Sequence, residues 1–240
     1  SVIVDSYYVT DDYLAALREN AYTVLMDDMG THRYPVDCVI NYNAPASLDT
    51  YRKLYQGSGT KLLIGSRYTP LRRQFRRAEE IPEECIGHLP AVLITVGGGD
   101  LGNIAGKILK RIYRKNFSFH LVTGRYHPDF QRMQELEKAY NNIHIHHDVK
   151  DMAGLMRRCQ IALTAGGSTV YELSALGIPF VCFSCAENQE ALVDYIGSQQ
   201  IAVSAGAWHR EPEQTLERIG RLFEKLADTP KLREACRYGE

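Results

Sequence analysis

The segment IALTAGGSTVYELSALGIPFV, residues 161–181, constrains the fold more than any other part of the sequence. An apolar run ends in two glycines and two hydroxyl residues, a short helical pattern follows, and a second apolar run begins after a proline. Two strands apolar enough to be covered on both faces, joined by a helix, are typical of a parallel β-α-β unit. The sequence therefore predicts an α/β protein built on parallel sheets.

The same alternation of strands and helices extends along the chain. Strands are predicted at residues 2–4, 23–26, 38–40, 61–64, 91–96, 118–122, 143–146, 161–164 and 179–183, and helical stripes at 101–113, 152–159 and 216–226. Residues 76–90 are charged, contain two prolines and lack a sustained apolar period, which is typical of a linker. We therefore predict two doubly wound parallel sheets, in domains of residues 1–80 and 81–240.

The charge and hydropathy of the chain argue against two classes of protein. The 240 residues include 28 basic and 29 acidic side chains, so no overall positive field favours a nucleic acid partner. The apolar runs are far shorter than the ~20 residues that a membrane-spanning helix needs. Arg72, Arg73, Arg76 and Arg77 form a local basic run, which we interpret as a solvated helix face because glutamates follow it.

The cysteines and histidines have plain interpretations. Six scattered cysteines do not make a disulfide framework, which favours a reducing cytoplasm. Cys182 and Cys185 form a CxxC without the second pair that a zinc site needs, so we predict buried, inert thiols. His144 and His146 would share one face of a strand, a spacing that a metal could use. No distant partner is evident, and strand residues are the favoured interpretation.

Two adjacent aspartates in the N-terminal half allow two interpretations. Asp27 and Asp28 could be a paired carboxylate for acid and base chemistry. They also follow a predicted strand, where aspartates commonly begin turns. We favour the turn.

Two glycine turns follow predicted strands, TVGGGDLGN at residues 95–103 and TAGGSTVYE at residues 164–172. In a doubly wound sheet, ligands bind beyond the carboxyl ends of the strands. Glycine lets a ligand approach the backbone N–H groups, and a helix N-terminus favours an anion such as a diphosphate. Neither turn is a GxxxxGK[ST], and the GxGxxG spacing at residues 97–102 follows the fifth predicted strand and not the first, so dinucleotide and P-loop interpretations are weak.

The second turn also has a purely architectural explanation. Thr169 and Glu172 have the spacing of a capping box, and Gly177 followed by Pro179 would end the helix. The residues after the next strand favour a ligand instead. Asn188 and Gln189 would emerge at the same edge of the sheet, and their amides suit sugar hydroxyls and N-acetyl groups.

A longer segment resembles a known family of domains. The UDP-binding domain of GT-B enzymes contains a segment similar to TAGGSTVYELSALGIPFVCFSCAENQ, residues 164–189. This segment is similar to that domain in MurG-type glycosyltransferases, and more closely to the PseG-type UDP-sugar hydrolases of pseudaminic acid and spore coat polysaccharide biosynthesis. SVIVDSYYV, TVLMDDMG, DCVINYNA, KLLIGSRYTPLRRQF and ITVGGGDLGN resemble further segments of the hydrolase family. The resemblance extends over nearly the whole chain and implies two domains of the GT-B type.

The resemblance implies an activity and a set of site residues. Water would attack the anomeric carbon of a UDP-linked 2,4-diacetamido-2,4,6-trideoxy sugar and UDP would leave, with no cofactor and no metal. Glu172 would hold the ribose, Asn188 and Gln189 the sugar, and Tyr7 would lie near the reacting sugar, with Tyr7 and Asn188 as catalytic candidates. The other nucleotide-sugar-binding candidates are Gly97, Gly98, Gly99, His147 beside the uracil, and Gly167, Ser168 and Thr169 at the diphosphate.

One family motif is not found in this sequence. The N-terminal domain of the family begins with GxGHxxR, whose histidine is the expected general base, and this sequence starts after the position of that motif. We therefore expect a truncated N-terminal domain, an inactive fragment, and self-association through the exposed sheet edge. A MurG-like glycosyltransferase and a non-catalytic nucleotide-sugar-binding module are the alternatives.

Overall fold

The structure is a computed structural model that describes residues 1–76, 89–97, 100, 102–124 and 130–229, without the side chains of Phe130 and Arg132. The chain divides into two compact units, Ser1–Pro70 and Leu71–Glu240. The predicted boundary at residue 80 and most of the predicted linker lie outside the described residues.

The first unit contains a parallel four-stranded sheet in the order β1-β2-β3-β4. Its elements are β1 (Val2–Val4), α1 (Asp11–Asn20), β2 (Thr23–Met26), β3 (Cys38–Asn41), α2 (Leu48–Leu54) and β4 (Lys61–Ile64). The predicted strands are confirmed, with β3 one residue longer. Leu14, Leu25, Val39 and Tyr51 form part of the core between the helices and the sheet.

The second unit contains a parallel six-stranded sheet in the order β10-β9-β8-β5-β6-β7. Its strands are β5 (Ala91–Thr95), β6 (Ser118–Thr123), β7 (Ile143–His147), β8 (Ile161–Ala165), β9 (Phe180–Ser184) and β10 (Val203–Ala207). Its helices are α3 (Ile104–Ile112), α4 (Phe130–Ala139), α5 (Met152–Arg157), α6 (Thr169–Ala175), α7 (Glu190–Ser198) and α8 (Pro212–Asp228). The five predicted strands are confirmed, and β10 is an additional strand.

The strand order of the second unit fixes where a ligand crevice lies. The chain enters the sheet at β5, winds outward to β7, returns to β8 beside β5, and then winds outward in the other direction. This is the doubly wound order 3-2-1-4-5-6, in which ligands bind where the winding direction reverses. In this unit that point is the carboxyl end of the neighbouring strands β5 and β8.

The apolar pattern of the sequence explains the burial of the central strands. Every residue of β5, β8 and β9 is buried, as expected for parallel strands with helices on both faces. The last helix, α8, buries Ile219 and Phe223 completely. In the described part of the chain, no helix combines the length and apolar character that a membrane crossing requires.

Candidate functional site

Both predicted glycine turns begin at the reversal point of the second sheet. Thr95 and Thr164 are paired across β5 and β8, so the two turns leave the sheet side by side. Gly97 has a φ of +89°, a left-handed conformation that favours glycine, and a β-carbon there would meet no atom within 4 Å. Gly98 and Gly99 lie outside the described residues.

In the turn after β5, side-chain oxygens of the protein already accept hydrogen bonds from the first backbone N–H groups of α3. The carboxylate of Asp100, which is 4% exposed, accepts hydrogen bonds from the Ile104 and Ala105 N–H groups at 2.6 and 2.9 Å. The side-chain oxygen of Asn103 accepts from Gly106 N–H at 3.2 Å. The start of α3 is therefore capped from within, and these three amides are not available to an anion.

The two glycines of the turn after β8 have different surroundings. A β-carbon on Gly166 would overlap Cγ2 of Val193 and lie 3.4 Å from Cβ of Gln189, so Gly166 packs directly against the segment around the start of α7. A β-carbon on Gly167 would have no atom within 4 Å. Gly166 is therefore required by packing, whereas Gly167 faces open space beside the segment that carries Asn188 and Gln189.

The start of α6 lacks the capping box that the spacing of Thr169 and Glu172 suggested. No side chain caps the helix at Ser168, and the carboxylate of Glu172 binds Arg72 instead. Within the described residues, no group accepts a hydrogen bond from the N–H of Ser168 or Thr169. The capping-box interpretation is therefore wrong, and the N–H groups of Ser168 and Thr169 are open, whereas those of Gly166 and Gly167 donate to Phe183 and Ala165.

The predicted end of α6 is confirmed. Gly177 has a φ of +63°, and the N–H of Ile178 donates to the carbonyl oxygen of Leu173 at 3.1 Å. This is the pattern of a helix closed by a left-handed residue.

Arg72 and Glu172 form an ion pair beside this turn. The Nε and Nη2 atoms of Arg72 lie 3.0 and 2.8 Å from Oε1 of Glu172. The Glu172 side chain is 12% exposed and that of Arg72 is 50% exposed. The interpretation of the basic run as a solvated helix face is wrong for Arg72, because it precedes only a three-residue 3-10 helix, Arg73–Phe75, and binds a mostly buried carboxylate.

The segment that carries Arg72 is attached to α5. Oε1 of Gln74 accepts from Ala153 N–H at 2.8 Å, and Nε2 of Gln74 donates to the carbonyl oxygen of Lys150 at 3.3 Å. Nη2 of Arg157 donates to the carbonyl oxygen of Gln74 at 3.1 Å, and Phe75 is 3% exposed. No motif in the sequence indicated these contacts, because they join positions about 80 residues apart.

Asn188 and Gln189 lie in a short 3-10 helix between β9 and α7. The side chain of Asn188 is exposed. Oε1 of Gln189 accepts from the N–H of Cys185 at 2.8 Å, so this side chain shapes the loop after β9.

The two cysteines of the CxxC lie in and directly after β9. Burial raises the pKa of the Cys182 and Cys185 thiols to about 12 and 11. Cys182 is fully buried and Cys185 half-buried, and both are free thiols.

His147 ends β7, at the same carboxyl edge of the sheet, and is exposed.

His144 and His146 of β7 share one face, as predicted. They also contact a third histidine, His120 of β6, which the sequence did not reveal. The His120 ring stacks on those of His144 and His146, and its Nδ1 lies 2.9 Å from Nε2 of His146. Burial, followed by the charges of His146 and His144, lowers the pKa of His120 to about 4.

These histidines do not form a recognisable metal site. Among the described residues, no group of three or more His, Cys, Asp or Glu side chains has an arrangement that could hold a metal ion.

In the first unit, Tyr7 and Asp28 face a shallow cleft at the carboxyl ends of β1, β2 and β3. The Tyr7 hydroxyl donates to Oδ2 of Asp28 at 2.5 Å, and this bond, with the charge of Asp28, raises the pKa of Tyr7 to about 12. Asp27 is buried, and its Oδ1 accepts from Met29 and Gly30 N–H groups. The turn interpretation of Asp27 is therefore confirmed.

Comparison with known proteins identifies the group to which this architecture belongs. The family model of the glycosyltransferase family 28 C-terminal domain matches residues 91–232. The chain belongs to this family. The matched residues of the family 28 domain include both glycine turns, Glu172, Asn188 and Gln189.

Two named relatives match most of the chain. The chain is 28% identical over 178 residues to the spore coat polysaccharide biosynthesis protein SpsG of Bacillus subtilis, covering 70% of this chain and 50% of SpsG. It is 24% identical over 200 residues to the UDP-2,4-diacetamido-2,4,6-trideoxy-β-L-altropyranose hydrolase of Campylobacter jejuni, covering 82% of this chain and 71% of the hydrolase. The chain therefore spans about half the length of SpsG.

A solved glycosyltransferase has the same fold. The spinosyn rhamnosyltransferase SpnG, in complex with spinosyn aglycone, matches with a TM-score of 0.62 and 13% identity over 98% of this chain and 66% of SpnG. The predicted GT-B-like α/β fold with two parallel sheets is confirmed.

Proposed function

We propose that the second unit binds the UDP part of a sugar nucleotide, and that the protein hydrolyses a UDP-linked diacetamido-trideoxy sugar. The observation that carries this proposal is the open turn at Gly167, Ser168 and Thr169 at the reversal point of a doubly wound sheet, in a chain of glycosyltransferase family 28. The named hydrolase from Campylobacter jejuni supports the reaction and the substrate class.

The chemistry of the turn suits a diphosphate. Unpaired backbone N–H groups and hydroxyl donors next to a glycine without a neighbouring side chain can surround phosphate oxygens. The first turn contributes differently, because Asp100 and Asn103 already bind the start of α3. In this proposal only Gly97 and the backbone near it approach the ligand from that side.

The remaining site residues keep the roles that the family resemblance implies. Glu172 accepts from the ribose, the backbone at His147 contacts the uracil, and Asn188 and Gln189 contact the sugar. Because Oε1 of Gln189 already accepts from the N–H of Cys185, we assign the contact with the sugar to its Nε2 donor. Tyr7 is the proposed catalytic tyrosine, and its hydroxyl hydrogen is directed to Asp28.

A MurG-like glycosyltransferase is a second candidate, favoured by the family to which residues 91–232 belong and by the fold of SpnG. The two reactions differ only in the acceptor that attacks the anomeric carbon. Incubating the full-length protein with the UDP-linked sugar in H₂¹⁸O separates them. Label at the sugar C1 with release of UDP supports hydrolysis, whereas consumption of the substrate only when an acceptor alcohol is added supports transfer.

Nucleotide binding is tested by calorimetric titration of the chain with UDP and with ADP. We expect tighter binding of UDP, and about tenfold weaker UDP binding by Gly167→Ala, because the added methyl group meets no protein atom and would occupy ligand space. Ser174→Ala, a substitution near the other end of α6, is the control and should bind UDP as the wild type does. Equal binding of both nucleotides, or unchanged UDP binding by Gly167→Ala, would contradict the proposal.

A non-catalytic nucleotide-sugar-binding module is a third candidate. It predicts that the full-length protein binds the UDP-linked sugar and releases UDP neither in water nor with an added acceptor. The labelled-water experiment therefore also separates this candidate from the two enzymes.

A further inference from the structure

The hydrogen bonds of Arg72 leave one oxygen of Glu172 available. A guanidinium usually places two parallel N–H donors on the two oxygens of a carboxylate. Here Nε and Nη2 of Arg72 both lie on Oε1, at 3.0 and 2.8 Å. Oε2 of Glu172 accepts no hydrogen bond from any residue that the structure describes. The carboxylate therefore has its charge compensated and still presents a free acceptor.

Arg72 is held in place independently of Glu172. Its guanidinium carbon lies 5.0 Å from the centre of the Phe75 ring, and Phe75 is buried. The next residues are fixed on α5 through the side chain and carbonyl oxygen of Gln74. A half-exposed arginine on an unattached loop would lose much side-chain entropy on forming such a pair, and this attachment reduces that cost.

The ion pair of Arg72 and Glu172 lies next to the turn at which we propose that the nucleotide binds. Glu172 lies in the first turn of α6, directly after the open turn at Gly167 and Ser168. From this geometry we propose that Arg72 is a positioning residue for ribose recognition: it holds Oε1 of Glu172 and thereby directs Oε2 toward a ribose hydroxyl. This inference rests on the proposed function, because it requires UDP to bind at this turn.

Two other roles for Arg72 make different predictions. If Arg72 competed with the ribose for Glu172, removing it would tighten UDP binding. If it contacted only the diphosphate, removing it would weaken ribonucleotide and deoxyribonucleotide binding equally. The free Oε2 atom favours positioning over competition, because a hydroxyl can reach the carboxylate without displacing the guanidinium.

The test compares UDP with 2′-deoxy-UDP and 3′-deoxy-UDP, titrated into the full 240-residue chain. The wild type should prefer UDP over the weaker deoxynucleotide by about tenfold, the usual effect of one hydrogen bond to a charged group. Arg72→Ala should reduce this preference to about threefold or less while still binding the deoxynucleotides. Arg72→Lys should give an intermediate preference, because an ammonium group can hold one oxygen without the planar fork.

Arg73→Ala is the matched control. Arg73 is the neighbouring arginine and is exposed, and its side chain makes no hydrogen bond or ion pair with the rest of the described chain. Its substitution removes the same charge from the same segment and should leave the preference for ribose unchanged. Continued deoxynucleotide binding by Arg72→Ala also shows that the variant is folded at this site.

Each remaining outcome has one meaning. An unchanged preference in Arg72→Ala, equal weakening of all three nucleotides, or tighter UDP binding would overturn the positioning role while leaving UDP binding intact. A wild-type chain that does not prefer ribose would also overturn it. A wild-type chain that binds none of these nucleotides would overturn the proposed function, and this inference with it.

Discussion

Gly166 lies against Val193 so closely that a methyl group on the glycine would overlap Cγ2 of the valine. The contact joins the turn after β8 to α7, and the N–H of Gly166 also donates to the carbonyl oxygen of Phe183 at 2.8 Å. Gly167, the next residue, has no such neighbour, because a β-carbon there would meet no atom within 4 Å.

Substitution by alanine should destabilise the protein at Gly166 and leave its stability nearly unchanged at Gly167. Gly166→Ala forces an added methyl group into a filled site and should lower the free energy of unfolding by about 1–3 kcal/mol. Gly167→Ala should change it by no more than about 0.5 kcal/mol. Urea denaturation followed by the fluorescence of Trp208, the single tryptophan, measures both, because Trp208 is buried in the second unit. Equal effects would contradict the packing difference.

Asp100 should stabilise the second unit as a cap of α3. Asp100→Ala removes the acceptor of two amides and should lower the free energy of unfolding by about 1–3 kcal/mol. Asp100→Asn keeps one acceptor oxygen and should cost less. The same denaturation measurement ranks the two variants, and an Asn variant less stable than the Ala variant would disprove capping as the role.

The His120 cluster should make the second unit sensitive to acid. Burial lowers the pKa of His120 to about 4, so the folded state binds fewer protons than the unfolded state below the ordinary pKa of about 6.5. The stability contributed by the neutral ring is present above pH 6.5 and is lost as the pH falls toward 4. Allowing for partial solvation of the ring, we expect a loss of about 1–2 kcal/mol from this residue.

A variant isolates this contribution from that of the carboxylates. The groups facing His120 are Ser118, His144, His146 and the charge of Arg158, and Glu137 acts on His146. His120→Gln retains a polar side chain that does not titrate, so its unfolding free energy should fall less steeply between pH 7 and pH 4. Identical pH profiles for the variant and the wild type would show that His120 does not titrate as described.

The fold could be predicted from the sequence where burial imposes an apolar run. The strands of both sheets were located within one or two residues, because parallel strands covered on both faces need continuous apolar segments. The strand β10 was missed because VSAGA contains small and polar residues without that signal. Its position beside β9 depends on tertiary pairing and not on its own composition.

The site was predictable only in part, for a related reason. The glycines and the capping-box spacing are local patterns that the sequence shows directly. The packing of Val193 distinguishes Gly166 from Gly167, and the hydrogen bond from Arg72 explains why the Glu172 carboxylate does not cap its helix. Both depend on contacts between distant positions, 100 residues apart for the ion pair. His120 likewise joins the two histidines of β7 because strand pairing places it there.

The attachment of Gln74 to α5 bears on how this domain is isolated for study. A fragment cut at residue 91, where the family similarity starts, would discard the guanidinium that binds Glu172 and the amide that binds Ala153. Such a fragment could retain the whole six-stranded sheet and still give a misleading nucleotide affinity. An excised domain intended for binding measurements should therefore begin no later than Leu71.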